Sequence, residues 1–135
     1  GKRLTGCGLH RAPNPLAGGN EAVALVFDWD SGEQTEQFEL KGVRALTWRS
    51  IFHASGYLVG GAGGHHGGYI LFWKSGVTDE VHRFQLPNTA RSMDLFPNGV
   101  DVLTAHYDKK VRLSRLTEKP AEAKKDAPEA AKATG

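Results

Sequence analysis

The chain has 135 residues, 39% of them hydrophobic and 24% charged, with 17 glycines, six prolines and one cysteine. That length fits one domain, and the apolar fraction suffices for a packed core, which excludes wholesale disorder. A single cysteine excludes an intrachain disulfide framework, and a formal net charge of +2 is too near balance to point to nucleic acid or a membrane surface.

From the first residue to about residue 117, short apolar runs alternate with breaks rich in Gly, Asn and Ser. Runs such as Ala22–Phe27, Tyr69–Trp73 and Val100–Ala105 are too short for a helix of about 10–12 residues. The breaks carry turn chemistry. The pattern is all-β, with up to ten strands near residues 2–7, 22–30, 34–40, 43–49, 57–61, 69–75, 80–86, 90–95, 100–106 and 110–116. The run Tyr69-Ile70-Leu71-Phe72-Trp73 does not alternate, so its sheet is expected to be covered on both faces. No run of about 18 apolar residues occurs. Residues 118–135 are rich in Ala, Lys and Glu, hold Pro120 and Pro128, and lack large apolar side chains. With nothing to bury, they are expected to form a disordered tail. The first residue is Gly rather than Met, so the true N-terminus is expected upstream.

Part of the chain repeats. Phe27-Asp28-Trp29-Asp30-Ser31-Gly32 aligns with Leu71-Phe72-Trp73-Lys74-Ser75-Gly76, with Trp29 and Trp73 separated by 44. Both tryptophans are expected to be buried equivalents. Val43–Trp48 aligns with Ala90–Leu95, which makes Arg44 and Arg91 counterparts, and Phe52-His53-Ala54-Ser55-Gly56 aligns with Phe96-Pro97-Asn98-Gly99. These residues resemble the WD40-repeat β-propeller family, whose period is about 40–45 residues. Trp29-Asp30 is a literal WD dipeptide, the Phe52–Gly56 turn is similar to the family's F-H-P-x-G turn, and Asp108–Ser114 resembles its D-K-T-V-R-L-W run with Ser114 in the Trp place. The resemblance covers residues 1–117. It implies a partial β-propeller of about two and a half four-stranded antiparallel blades, the C-terminal portion of a longer ring of at least about four blades. The rest of the propeller is then expected upstream; the alternative is a short repeat that closes as an oligomer. The family often places Gly-His before a blade's first strand, where Lys41-Gly42 and Pro87-Asn88 stand here. Its buried polar network is therefore expected to be incomplete, with packing holding the blades.

The chemical motifs fail one by one. Gly60–Gly68 matches neither G-x-G-x-x-G nor a P-loop and reads as a flexible hairpin loop. His65-His66 lacks further ligands at zinc spacing. Asp28–Glu33 begins like a calcium loop but has Glu33 where Gly is required. No G-x-S-x-G elbow occurs, and Cys7 reads as a small buried apolar residue. No catalytic, cofactor-binding or metal site is expected, and no enzymatic role. The resemblance implies instead a protein-interaction scaffold whose top-face residues Arg44, His65, His66, Arg91 and His106 meet a protein or peptide. The two arginines read either as solvated or ion-paired edge residues or as contacts for an acidic partner. The alternative is an accessory domain of a larger enzyme with its catalytic part upstream.

Overall fold

The computed structural model describes residues 1–11, 21–64 and 67–117. The expected tail, His65 and His66 lie outside the described residues. Ten strands are present: β1 (Arg3–His10), β2 (Glu21–Asp28), β3 (Gln34–Arg44), β4 (Leu46–Phe52), β5 (Tyr57–Gly64), β6 (Gly67–Lys74), β7 (His82–Leu86), β8 (Ala90–Leu95), β9 (Asp101–His106) and β10 (Val111–Arg115). There is no helix among the described residues. The strands form three antiparallel sheets in chain order, β1-β2-β3, β4-β5-β6-β7 and β8-β9-β10.

One register repeats through these sheets. In the middle sheet Leu58 stands opposite Trp73; in the third, Val102 stands opposite Ser114. In the first, the Trp29 amide donates to the Lys2 carbonyl, which continues the β1–β2 ladder by one step. Trp29, Trp73 and Ser114 therefore hold one place. The β4–β5 and β8–β9 turns also close alike. Gly56 N–H donates to the His53 carbonyl and Gly99 N–H to that of Phe96, both glycines having left-handed φ of 95° and 72°. His53 ties the two turns together through its Nε2–H, which donates to the Gly99 carbonyl at 2.6 Å.

These turns correct one alignment. A bulge after Thr47 makes Trp48 the extra residue of β4, and a bulge after Ala90 makes Arg91 the extra residue of β8. The counterpart of Arg91 is therefore Trp48. Arg44 is the last residue of β3. Turn closure and bulge position set strand equivalence, and a shared arginine does not.

The middle sheet explains the unbroken apolar run. Side chains of β6 alternate between two cores. Tyr69, Leu71 and Trp73 join Leu58 and Ala62 against Ala22, Ala24, Val26, Phe38 and Leu40 of the first sheet. Ile70 and Phe72 join Val59 and Leu86 against Ala90, Met93 and Val102 of the third. Both faces are covered, so neither needs polar residues. The Trp73 ring stacks on Phe38 at 5.8 Å, and its indole N–H donates to the Glu39 carbonyl at 3.0 Å. Its polar tip is thus satisfied inside the core.

Trp29 departs from expectation. It is 64% exposed, whereas Trp73 is 0% exposed. Ala22, Ala24 and Val26 of β2 face the middle sheet, so Phe27 and then Trp29 fall on the opposite face. Among the described residues no sheet lies there, and Trp29 borders a shallow hollow with Leu4 and Phe27. At the other end of the stack, Leu103, Val111 and Leu113 are exposed on the outer face of the third sheet.

The glycine-rich stretch is also not the expected loop. Gly60–Gly64 belongs to β5 and Gly67-Gly68 to β6, with Gly64 paired to Gly67. Close packing demands glycine here. A Cβ on Gly60 would come within 2.5 Å of Trp73 Cζ3, and one on Gly63 within 2.6 Å of Thr89; one on Gly68 would run into the Asn88 carbonyl.

Trp73→Ala should destabilise the fold by about 3–5 kcal/mol, as other large core truncations do. Trp29→Ala in residues 1–135 should change stability by no more than about 0.5 kcal/mol, as at other exposed sites. Urea unfolding measures both, and a similar effect at the two positions would contradict the packing described.

Candidate functional site

Strands β1, β4 and β8 form one edge of each sheet, and side chains on these edges bridge neighbouring sheets. Thr5 and Ser50 hydroxyls meet at 2.7 Å, and the Arg3 guanidinium lies 4.3 Å from the Phe52 ring centroid, joining the first sheet to the middle one. Arg49 Nε donates to the Met93 carbonyl at 2.8 Å, joining the middle sheet to the third.

Beside that bond the two bulge residues meet. The Arg91 guanidinium lies 4.5 Å from the Trp48 ring centroid and 5.5 Å from that of Tyr107, the residue that follows β9. Bulges re-aim side chains. Here they bring a cation from β8 over an indole from β4. All three groups face solvent, with Trp48 37% and Tyr107 70% exposed. Such cation–π contacts contribute about 0.5–1 kcal/mol at exposed sites. That suffices to hold the guanidinium against its rings.

A buried polar network fixes the backbone beneath Tyr107. His106 Nδ1–H donates to the Asn88 carbonyl at 2.8 Å, since a carbonyl can only accept. Its Nε2 then accepts from the Thr104 hydroxyl at 2.7 Å. The Asp108 amide donates to Asn88 Oδ1 and the Tyr107 amide to the Thr89 carbonyl. Asp108 accepts two hydrogen bonds from Arg112, at 3.1 and 2.7 Å. Hydrogen bonds from Arg112 hold the Asp108 carboxyl at a pKa of about 2, and those from Arg115 and Asn98 do the same for Asp101. Burial pushes the His106 imidazole below the ordinary histidine value, opposed by its hydrogen bond to Asn88. The third sheet thus carries a buried polar network that the sequence led us to expect incomplete, and Ser114 Oγ, in the tryptophan place, is buried without a hydrogen-bond partner among the described residues.

The expected site residues fare differently. Arg91 lies at the centre of the cluster. Arg44 is exposed at the end of β3, paired across the ladder with Glu21, and takes no part in the cluster. His65 and His66 lie outside the described residues. His106 is 7% exposed with both ring nitrogens engaged, so it supports Tyr107 from below and is not presented to a partner. Trp48 and Tyr107 were not legible as site residues. Aligning the repeat on Gly56 and Gly99 rather than on the arginines sets Trp48 opposite Arg91. Cys7, expected to be buried, is exposed as a residue, although crowding around its thiol pushes the pKa up.

A second charged cluster lies on the first sheet. His10 Nε2 is 3.2 Å from Glu39 Oε1 and 3.4 Å from Glu21 Oε2, and Gln37 Nε2 donates to Glu39 Oε1 at 2.9 Å. Gln37 thus satisfies one oxygen of the buried Glu39 carboxylate, while the buried His10 Nε2 makes no hydrogen bond to a described residue. Among the described residues no group of three His, Cys, Asp or Glu side chains is arranged to hold a metal ion.

No protein-family model matches this chain, and no curated protein matches it.

The depressed His106 pKa has a definite sign. Below the ordinary histidine value of about 6.5, the unfolded chain takes up a proton that the folded chain resists. Stability should fall as the pH drops through that range, and His106→Gln should flatten the fall. A further loss is expected as the pH falls from about 4 toward 2, where the ion-paired Asp101 and Asp108 become protonated. Urea midpoints measured across pH test both windows. Equal slopes near neutrality in the parent and His106→Gln would contradict the assignment.

Proposed function

We propose that this chain is an arc of a WD40-type β-propeller and serves as a non-catalytic interaction scaffold for a protein or peptide. The architectural part draws support from the common place of Trp29, Trp73 and Ser114 and from the apolar faces at both ends of the stack. Further sheets of the same ring, packed on those faces, would give Trp29 the cover that Trp73 already has.

One observation carries the functional part: Arg91, Trp48 and Tyr107 are gathered and solvent-facing on a rigid edge. Arg, Trp and Tyr are the residues that most often dominate interface energetics. Pinned by a bulge and a stacking contact, they lose little side-chain freedom on binding. The groups on offer are a cation and two ring faces, which suit recognition.

The test is alanine scanning of the full-length protein against a partner recovered with it. Arg91→Ala and Trp48→Ala should each weaken binding at least about tenfold, equivalent to 1.4 kcal/mol. Ser31→Ala in the β2–β3 turn and Lys74→Ala at the end of β6, both away from the cluster, should have little effect. If only these two variants weaken binding, another surface is in use and the proposal fails.

A further inference from the structure

We infer that the Arg91 cluster recognises a carboxylate, so that the partner segment is acidic and sets an Asp or Glu side chain against Arg91. The inference deepens the interaction reading above and rests on it.

The first ground is the state of the guanidinium. Arg112 is paired with Asp108, Arg115 with Asp101 and Arg83 with Glu80, while Arg49 donates to a main-chain carbonyl. Arg91 makes no hydrogen bond or ion pair with any described residue; its contacts are the two ring faces. Ring faces supply no oxygen acceptor, so these contacts leave the N–H edge of the guanidinium without one. That edge matches the two oxygens of a carboxylate.

The second ground is the surroundings. The rings of Trp48 and Tyr107, with centroids 4.5 and 5.5 Å away, set apolar surface beside the solvent-facing cation. Their exposed carbon surface suits the methylene stem of a glutamate. Lys109 and Lys110, exposed in the turn after Tyr107, add positive charge, while Asp108 in the same turn is already neutralised by Arg112.

A nucleic acid suits this surface less well. Binding of its backbone rests on Lys and Arg contacts to many phosphates. The chain's net charge is only +2, and Asp94 follows three residues after Arg91 on the same strand.

The test uses labelled octaglutamate and the full-length protein, followed by fluorescence anisotropy. A glycine–serine peptide of equal length and octathymidylate are the comparison probes. Octaglutamate should bind more tightly than either. Arg91→Gln and Trp48→Ala should weaken it at least tenfold. Arg91→Lys, which keeps the charge but loses the planar fork, should also weaken it severalfold, with an unchanged circular dichroism spectrum. Lys109→Gln should cost less than threefold. Absence of octaglutamate binding, tighter binding of octathymidylate, or equal losses from Lys109→Gln and Arg91→Gln would overturn the inference. If the recovered partner still depends on Arg91 and Trp48 in any of those cases, the interaction reading survives and only the acidic assignment falls. If neither probe nor partner depends on them, both fall.

Discussion

Trp73 joins the first two sheets, and much of the fold is arranged to receive it. Its ring needs a slot in β5, and Gly60 provides one because any side chain there would strike the indole. The ring needs a flat apolar partner, which is Phe38, and an acceptor for its N–H, which is the Glu39 carbonyl. That carbonyl lies on β3, so the indole binds the first sheet by both packing and a hydrogen bond. In the third sheet, the two corresponding register places hold Thr104 and Ser114. Without the indole, a different solution operates. Thr104 and His106 are buried and joined by hydrogen bonds that reach back to Asn88 in the connection before β8, and the buried Arg112 is paired with Asp108. A buried network of this kind stabilises only when each member is partnered. The two sheets therefore resist unfolding for different reasons, one through packing and one through pH-sensitive bonds.

Much of this was legible from residue patterns. The apolar runs and turn residues located all ten strands, since period and punctuation are local signals. The unalternating β6 run announced a sheet covered on both faces. What escaped had tertiary causes. Glycine is a turn former by local preference, but Gly60, Gly63 and Gly68 are required by neighbours distant in sequence. Trp29 and Trp73 share a sequence context and a register place, yet among the described residues Trp73 has a sheet over it and Trp29 has none. Arg44 and Arg91 look alike in sequence and differ in structure, because each bulge inserts a residue that alignment by identity ignores. The site was only partly visible for the same reason: Arg91 could be singled out, but its aromatic partners come from β4 and from the end of β9.

The same features that organise the core also build the exposed edge. Bulges at Trp48 and Arg91 interrupt pairing at one equivalent point in two successive sheets. Arg49 and the turn-to-turn bond from His53 hold those sheets in fixed relation. The polar network anchors the segment that carries Tyr107. Trp48 of β4, Arg91 of β8 and Tyr107, just after β9, are thus held together by a framework that lies mostly beneath them.

The architecture leaves a physical demand at each end. Among the described residues the middle sheet is covered on both faces and the first and third on one each, with Leu4 and Trp29 exposed at one end and Leu103 and Val111 at the other. Contiguous apolar faces of this kind favour association, and the unpaired strand edges beside them add to that tendency. Sedimentation velocity of purified residues 1–135 over a range of concentrations is the most direct test. The stacked-arc account predicts self-association that grows with concentration. A soluble monomer at every concentration, unfolding in one sharp thermal transition, would contradict it.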